Sequence, residues 1–514
     1  MISALVITLM AAAPGTLPDS AAGAAGLKPS EDIALARKND TSQVFTWLPY
    51  APESFARAKR EGKVVLIDCA AEWCHWCHVM DETTYRDAAV GAWLAKNGIT
   101  IRVDIDERPD IADRYGDWGW PATILLSPNA EELGKFRGYL PPEKLLGILQ
   151  TLDASKLLEA VKEPAPLKPS DVPRSMKYAL ERLDWFWDEN EGSWGLKRKT
   201  PIGMNVQWEL LLGTKESIAR ADFTLGKQRV LIDPVWGGLS QYSASTNWSE
   251  PHFEKLMAYQ AANLVAYAQG FEATKKQQHL DDARALFRYM TMFLRSPEGT
   301  FFVNQDADLN AHDRSKPFVD GHTFYALDDA GRRKLGIPWV DTHVYASENG
   351  KAIVALVAFA KASGDVTALD AAKKAADQLA LTHVLQDGSV KHEAKSSDQG
   401  PFLLEDAAWL GLAYARLGNN ELASKIAARM VEQLADPKLG GALFEHTVDA
   451  DAVGVFARRA HPFAANVTAA RLLAAVGQRE KGRGVLAAVS AKERLENEWA
   501  WVGDYLIAAR ELGF

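Results

Sequence analysis

The sequence predicts a chain of two structural classes, an α/β layer followed by an all-α array of helices. Three observations predict this. Between about residues 44 and 161, short apolar runs alternate with helical patterns, which is typical of buried strands covered by helices. Residues 162–173 are rich in Pro and Lys and are predicted to be a linker. From residue 174 to 514 strand patterns almost vanish, and apolar residues recur at i, i+3 and i+4, the spacing of amphipathic helices.

The α/β part begins with the run Lys-Val-Val-Leu-Ile-Asp-Cys at residues 63–69, which is typical of a buried parallel strand. The alternation after it predicts helices on the faces of a sheet. The further elements, in chain order, are a helix at 74–97, strands at 99–104 and 122–126, an edge strand at 133–139 and a helix at 141–153.

The helical part contains about twelve amphipathic stretches separated by short Gly-aromatic loops, such as Gly-Ser-Trp-Gly at 192–195. Their recurrence predicts repeated helical hairpins, which bury their apolar faces only by stacking side by side. About six pairs could close into a ring, an (α/α)6 toroid, and an open solenoid is the alternative. The clearest helices are predicted at 174–188, 252–273, 279–295, 345–363, 366–384, 403–417, 420–435, 463–476 and 496–512.

Composition excludes several classes of function. The chain has 514 residues, 47% of them hydrophobic, so it is predicted to fold into large cores rather than to be disordered. Its net charge of −9 argues against nucleic acid or an anionic membrane as the main partner. Three cysteines are too few for a disulfide scaffold.

The N-terminus, residues 1–27, is predicted to be a signal-like or disordered segment. The apolar run at residues 2–13 is too short to span a bilayer and has the length of a signal-peptide core, although no Lys or Arg precedes it. We therefore expect an exported, periplasmic protein with a cleaved signal peptide and no integral membrane segment. A cytoplasmic location, with a mis-assigned start or a disordered tail, is the alternative.

The most specific motif is Trp-Cys-His-Trp-Cys-His at residues 73–78, directly after the strand that ends at Cys69. It opens a predicted helix, and the free N–H groups and dipole at a helix N-terminus stabilise an anion. We therefore expect a lowered pKa for Cys74, which would be the exposed, attacking thiolate. Cys77, one turn further on, is placed to resolve a mixed disulfide.

Two neighbours complete the predicted redox site. His75 would stabilise the thiolate further when protonated, which makes the disulfide more oxidising. Asp68, on the strand beneath, is the candidate to take a proton from Cys77. This hypothesis needs no metal and no cofactor beyond the redox-active disulfide between Cys74 and Cys77.

Three other interpretations of the motif stay open. The pattern Cys-x-x-Cys-His at 74–78 is also that of covalent c-type haem attachment, and two Cys with two His could hold zinc. The preceding strand is not what a haem peptide needs, and a second Cys pair for zinc is missing from the sequence. Both cysteines could instead be inert packing residues. Cys69 is predicted to be a small core residue.

Residues 47–152 resemble thioredoxin-fold proteins in the segments at 65–74, Val-Asp-Ile-Asp at 103–106 and Gly-Trp-Pro-Ala-Thr at 119–123. The resemblance implies that Pro121 forms a cis peptide bond, faces the disulfide and helps to dock the substrate. More narrowly, Trp-Cys-His-Trp-Cys-His-Val-Met at 73–80 and Asp-Glu-Arg-Pro-Asp-Ile at 106–111 resemble the spermatogenesis-associated protein 20 family.

The resemblance continues into the helical half, through Trp-Gly-Gly-Leu-Ser-Gln-Tyr-Ser at 236–243 and Pro-His-Phe-Glu-Lys-Leu at 251–256. That family joins a thioredoxin-like domain to a six-hairpin, glycosidase-like toroid. The implied domains here are a thioredoxin-like domain at 44–161 and an (α/α)6 toroid at 174–514.

Similar toroids in glycosidases and sugar epimerases place the active site at the mouth of the ring. Paired carboxylates there could cleave a glycosidic bond, and a histidine could move a proton beside a carbonyl, while aromatic rings would form platforms for a ligand. The structural alternatives are a helix N-cap at Ser249 and an Asp-organised turn at 306–308. The candidate ligand-binding residues are Trp236, Tyr242, Trp248, His252, Glu254, Asp306, Asp308, Glu405 and Asp406.

The leading hypothesis is a thiol–disulfide oxidoreductase involved in cell redox homeostasis, whose toroid binds or presents a protein client or redox partner. One alternative is a carbohydrate-active or sugar-isomerising toroid enzyme with a sugar or other small-molecule ligand and an accessory thioredoxin-like domain. The other is a non-catalytic interaction protein.

Overall fold

The computed structural model describes residues 33, 36–37, 43–116, 119–152, 169–398 and 400–514. The signal-like segment predicted at 1–27 and most of the predicted linker, residues 162–168, lie outside these ranges. Among the described residues, every helix is too short or too polar to cross a bilayer.

The N-terminal domain is built on a five-stranded sheet in the order β1-β3-β2-β4-β5. The central strand β2 pairs in parallel with β3 and antiparallel with β4, so the strand that leads to the two cysteines lies in the middle of the sheet. The strand β5 is at the edge, as predicted. The strands are β1 (Leu48–Pro49), β2 (Val64–Ala70), β3 (Gly98–Asp104), β4 (Ala122–Leu126) and β5 (Glu132–Arg137).

Among the residues described between 43 and 152, five helices lie against this sheet, giving a thioredoxin-like fold. The single helix predicted at 74–97 is two helices, because the Asp87 carboxylate accepts hydrogen bonds from the N–H groups of Ala89 and Val90 and starts a new one. The sequence prediction missed the first and fourth helices, both of which begin at a proline. The helices are α1 (Pro52–Glu61), α2 (His75–Thr83), α3 (Ala88–Asn97), α4 (Pro109–Tyr115) and α5 (Pro142–Thr151).

The C-terminal domain is a closed ring of six inner helices. Each inner helix packs against the next, and the last, α20, packs against the first, α7, so the chain forms an (α/α)6 toroid. The open solenoid is therefore excluded. The inner helices are α7 (Gly203–Leu212), α9 (Met257–Thr274), α13 (Ala346–Ser363), α15 (Leu404–Arg416), α17 (Phe463–Ala475) and α20 (Gly503–Glu511).

Each inner helix is backed by an outer one. The outer helices are α6 (Val172–Phe186), α8 (Lys215–Gln228), α10 (Gln277–Phe293), α14 (Val366–Thr382), α16 (Asn420–Leu434) and α18 (Arg479–Val489). Three short helices lie in the connections, namely α11 (Gly321–Tyr325), α12 (Asp329–Leu335) and α19 (Lys492–Asn497).

Short strands, rather than helix starts, shape the mouth of the ring. The helix predicted from residue 252 begins at Met257, because Pro251–His252 pairs with Tyr242–Ser243. Ser249 is therefore not an N-cap. These two-residue strands are β6 (Trp187–Asp188), β7 (Ser193–Trp194), β8 (Tyr242–Ser243), β9 (Pro251–His252), β10 (Lys255–Leu256), β11 (Asn304–Gln305) and β12 (Val340–Asp341).

The thioredoxin-like domain covers the end of the ring at which the inner helices begin. The toroid residues Val455 and Phe456, just before α17, belong to the same buried apolar cluster as Cys74 and Cys77. The N–H of Val455 donates to the carbonyl of Ala130, 2.9 Å away. The two domains therefore share one core at the disulfide.

Close packing of the inner helices gives a first testable prediction. A Cβ on Gly350 of α13 would lie 2.6 Å from the carbonyl carbon of Trp409 in α15. Gly350→Ala is therefore expected to destabilise the protein by about 1–3 kcal/mol, measured by denaturant unfolding. The matched control is Gly226→Ala in the outer helix α8, where the added methyl meets open space and higher helix propensity should preserve or raise stability. Equal losses in both variants would contradict the packing described.

Candidate active site

The Cys74–Cys77 disulfide lies at the start of α2, directly after β2. Cys74 is the N-cap residue, and its Sγ accepts a hydrogen bond from the backbone N–H of Cys77 at 3.2 Å. A sulfur in this position faces the unpaired N–H groups of the first helical turn, which favour a negative charge. The structure thus gives Cys74 the environment that the motif predicted.

The predicted exposure of Cys74 is wrong. The relative exposure is 3% for Cys74 and 6% for Cys77. The reason is the toroid of the same chain, which closes over the motif and which the local sequence pattern cannot reveal. Of the two residues, it is Cys77 that borders a cavity of about 270 Å³.

His75 joins the motif to the toroid. Its Nδ1 lies 2.6 Å from Oδ2 of Asp308, which is fully buried. Burial alone would lower the pKa of His75, but the charge of Asp308 and the hydrogen bond to it raise this pKa to about 9. The same pairing lowers the pKa of Asp308 although burial opposes it. His75 is therefore an imidazolium at neutral pH beside the disulfide.

Stability is expected to fall as the pH rises from about 6.5 to about 9. A histidine with a raised folded-state pKa stabilises fully below its unfolded value, about 6.5, and loses that contribution as the pH passes through about 9. His312 and His392, with pKa values raised to about 10 and about 9, act with the same sign.

The contribution of His75 is isolated by comparing wild type with His75→Gln. The difference in unfolding free energy between them should shrink across this pH window, measured by denaturant unfolding at fixed ionic strength. A difference that stays constant from pH 6 to 10 would show that the ion pair with Asp308 does not stabilise the fold.

Asp68 lies beneath the motif and is buried. It accepts a hydrogen bond from Tyr85 Oη at 3.2 Å and forms an ion pair with Arg102 at 2.9 Å. Burial raises the pKa of Asp68 to about 6, although Arg102 opposes the rise. A carboxyl with this pKa can exchange a proton near neutral pH. Whether Asp68 takes the proton of Cys77 stays a prediction.

The Trp120–Pro121 peptide bond is cis, as the resemblance to thioredoxin-fold proteins implies.

Three of the predicted toroid residues converge near His75. The rings of Tyr242 and His252 stack at 4.2 Å, and His252 Nδ1 lies 3.6 Å from Oε1 of Glu254. The imidazole of His252 lies edge-on to that of His75, with ring centroids 6.3 Å apart. Burial raises the pKa of Glu254, but the charges of His252 and His75 lower it on balance. This group therefore lies beside His75.

Asp306 also turns toward the thioredoxin-like domain. It is fully buried, and its Oδ2 lies 3.0 Å from Nε2 of His312 and 3.6 Å from Nε2 of His78. Its Oδ1 accepts the N–H of Asp308 at 2.9 Å, so the predicted turn is present as well. The two acids thus serve as counter-charges for the histidines rather than forming an open carboxylate pair.

Trp236 and Trp248 do not form platforms. Trp236 is buried under Arg332 and donates its Nε1–H to Asp329 at 2.7 Å. Trp248 is also buried and donates to the carbonyl of Glu191 at 2.9 Å. Both rings pack in the core, so their role is structural packing rather than contact with a ligand.

Glu405 and Asp406, at the start of α15, are likewise paired. Glu405 lies 2.8 Å from Nζ of Lys351, and the buried Asp406 lies 2.9 Å from Nδ1 of His392. His392 Nε2 in turn lies 2.9 Å from the carbonyl oxygen of Asp106, in the thioredoxin-like domain. This chain of contacts ties the two domains together.

The Asp106 loop is the main feature that sequence reasoning left without a role. Its carboxylate accepts hydrogen bonds from Trp73 Nε1 at 2.8 Å and from Asn304 Nδ2, in the toroid, at 2.9 Å. The motif at 106–111 therefore carries the domain contact beside the disulfide. Sequence reasoning also missed His78, His312 and His392 as interface residues, because their partners lie far away in the chain.

A family model named Thioredox_DsbH, described as a protein of unknown function, DUF255, matches residues 33–184. Spermatogenesis-associated protein 20 of Mus musculus is 28% identical over 316 residues, covering 53% of this chain and 40% of the mouse protein. This chain is similar in sequence to spermatogenesis-associated protein 20 over about half of its length. It spans about two fifths of the length of the curated relatives that it matches.

The chain also matches a thioredoxin H-type of Oryza sativa subsp. indica, 33% identical over 78 residues, or 15% of this chain and 58% of the rice protein. Among solved structures, a sugar epimerase from a ruminal bacterium matches with a TM-score of 0.46 and 14% identity, covering 62% of this chain and 85% of the epimerase chain. The closed packing of this chain's own inner helices establishes the toroid.

Proposed function

We propose that the protein is a thiol–disulfide oxidoreductase whose Cys74–Cys77 disulfide reacts at the interface between the two domains. The observation that carries the proposal is the N-cap position of Cys74, whose Sγ accepts the N–H of Cys77. The likeness of this domain to thioredoxins supports the same chemistry.

The exchange proceeds in two balanced steps. A substrate thiolate attacks Cys74 Sγ, the Cys74–Cys77 bond breaks, and Cys77 leaves as a thiolate that takes up a proton. A second substrate thiol, deprotonated, then attacks the substrate sulfur of the mixed disulfide, and Cys74 leaves as a thiolate. The substrate loses two electrons to the protein, and the reverse sequence reduces a disulfide.

Two features of the site favour Cys74 as the leaving thiolate. The Cys77 N–H donates to its sulfur, and the imidazolium of His75 follows it in the chain. Both stabilise the reduced form, which raises the reduction potential and favours oxidation of the substrate. In the direction written, Asp68 is the proposed donor of the proton that the Cys77 thiolate takes up; in the reverse sequence it accepts that proton from Cys77.

Burial of the disulfide makes the toroid the gate of this site. The sulfurs are covered, so a protein client reaches Cys74 only when the two domains part. The contacts that must break include the pair between His75 and Asp308 and the bond from His392 to the Asp106 carbonyl. We propose that the client or redox partner is a protein thiol or disulfide, and that the toroid controls its access.

A carbohydrate-active toroid is the second candidate, and one observation favours it. A cavity of about 530 Å³ at the ring mouth is lined by aromatic and charged side chains, including Trp499, Trp501, Arg198 and Asp504. Aromatic faces with a few charged groups suit sugar binding. A thermal-shift panel of mono- and disaccharides tests this candidate. Unchanged melting temperatures with every sugar would leave it without support.

The redox proposal is tested by equilibrating the full chain in glutathione buffers of graded ratio and trapping thiols with a mass-tagged maleimide. Cys74 and Cys77 are expected to change together as a two-electron couple, while the buried Cys69 stays unlabelled in the folded protein. A disulfide that does not respond across the range, with no turnover of a model disulfide, would favour a non-catalytic interaction protein.

A further inference from the structure

A second cluster of side chains lies one helical turn beyond the disulfide and is not used by the exchange reaction. His78, on α2, and His312, in the toroid, both direct Nε2 toward the same two oxygens. One is the carbonyl oxygen of Glu72, 3.0 Å from His78 Nε2 and 2.9 Å from His312 Nε2. The other is Oδ2 of Asp306, 3.6 Å and 3.0 Å away respectively.

These spacings match a metal site. Around a tetrahedral Zn²⁺ with bonds of about 2.0–2.1 Å, neighbouring ligand atoms lie roughly 3.3 Å apart. In this protein, the distances from Nε2 of His78 and of His312 to the Glu72 carbonyl oxygen and to Asp306 Oδ2 run from 2.9 to 3.6 Å. One ligand atom each from His78, Asp306 and His312 lies within 4.8 Å of the other two. Two imidazoles with one carboxylate also form a common ligand set for transition metals.

The outer nitrogens of the two imidazoles face carboxylates. His312 Nδ1 lies 3.0 Å from Oε2 of Glu72, and His78 Nδ1 lies 3.8 Å from Oδ2 of Asp308. Metal-bound histidines almost always donate the second ring N–H to a carboxylate, a backbone carbonyl or water, which fixes the tautomer and the orientation of the ring. His78 Nδ1 is buried without a hydrogen-bond partner, a state that a small rotation of the ring toward Asp308 would relieve.

The cluster is reached from a cavity of about 270 Å³, lined by Glu72, Cys77, His78 and His312 among others. That volume leaves room for an ion and for water at an open coordination position. His78 and Asp306 are buried, so the site is preformed on rigid elements of both domains. An ion there would join α2 to the toroid.

We propose that His78, Asp306 and His312 form a binding site for a divalent transition-metal ion of the Zn²⁺ class, with the Glu72 carbonyl as a further ligand. The Glu72 carboxylate is a positioning group that acts through His312.

The proposal is tested by metal binding to the tag-free, oxidised full chain, in which Cys74 and Cys77 are held in the disulfide. After removal of metal with a chelator, ZnCl₂ is titrated calorimetrically and the retained metal is measured by mass spectrometry. The expected result is one ion per chain. His312→Ala should abolish this stoichiometric binding, and Glu72→Gln should weaken it by about 10- to 100-fold.

The matched control is His322→Ala, since His322 is exposed and lies outside the cluster. It should bind one ion as wild type does, and circular dichroism of each variant checks its fold. If His312→Ala fails to fold, Asp306→Asn, of nearly equal volume, takes its place. Absence of stoichiometric Zn²⁺ binding by wild type, or equal binding by the cluster variants, would overturn the proposal. Because the assay involves no thiol exchange, its outcome is independent of the redox function.

Discussion

Replacing Cys77 by serine is expected to trap a covalent mixed disulfide between Cys74 and a substrate thiol. The first step of exchange leaves the substrate attached to Cys74, and only the Cys77 thiolate can expel it by internal attack. In Cys77→Ser that attack is absent, so the adduct should accumulate to nearly one per chain after incubation with a mixed or aromatic disulfide reagent. Intact-protein mass spectrometry measures the adduct.

The matched variant is Cys74→Ser, which keeps Cys77 but removes the sulfur at the N-cap. We expect it to form little adduct and to lose turnover almost completely, because Cys77 lies inside the first helical turn rather than at its start. Adducts on Cys77 that form as fast as those on Cys74 would reverse the assigned roles. That reversal is a physical alternative because Cys77, rather than Cys74, lines the cavity.

Asp308→Asn is expected to loosen the interface between the domains and expose the disulfide. Asparagine keeps the oxygen that accepts the Gly321 N–H at 2.9 Å, but it removes the charge opposite His75. Breaking a buried ion pair by removing one partner costs about 3–5 kcal/mol. We expect a loss of this order in unfolding free energy and faster reaction of the oxidised protein with a reducing dithiol.

The control is Asp313→Asn in the same loop, because the Asp313 carboxylate is half-exposed and, in the part of the chain that the structure describes, bonds to neighbouring Ser315 and Lys316. It should leave the rate of reduction unchanged. If the disulfide is reduced by the dithiol at the wild-type rate in both Asp308→Asn and Asp313→Asn, domain separation does not limit access and the toroid is not the gate.

Much of the fold could be predicted from local patterns. The strand at 122–126 matches the prediction to the residue, and most of the helices predicted for the ring agree within a few residues, because apolar periodicity is strong in buried elements. The helix predicted at 496–512 is instead Lys492–Asn497 followed by Gly503–Glu511, and the clearest predicted helices did not include Gly203–Leu212, Lys215–Gln228 and Arg479–Val489. The predicted helix start at residue 252 was wrong, because pairing of Pro251–His252 with Tyr242–Ser243 is a tertiary contact. Ring closure, too, depends on contacts between the first and last helices.

The candidate site was predicted less completely. The Cys74 N-cap follows from residues adjacent in sequence, so the motif was sufficient to predict it. The burial of the sulfurs, the pairing of His75 with Asp308 and the convergence of His78 with His312 join residues more than 200 positions apart. Composition offered no signal for them. The motif at 106–111 was recognised, and only the structure shows that it contacts the toroid.

The central claim is that the sulfur of reduced Cys74 is ionised at neutral pH by the helix N-terminus and His75. A thiolate absorbs ultraviolet light that the thiol does not, so a pH titration of the reduced chain, corrected by that of Cys74→Ser, reports this ionisation without requiring access. The account predicts a midpoint below about 7.5, moving upward in His75→Gln. A midpoint near about 8.5, the value for a free cysteine, would contradict it.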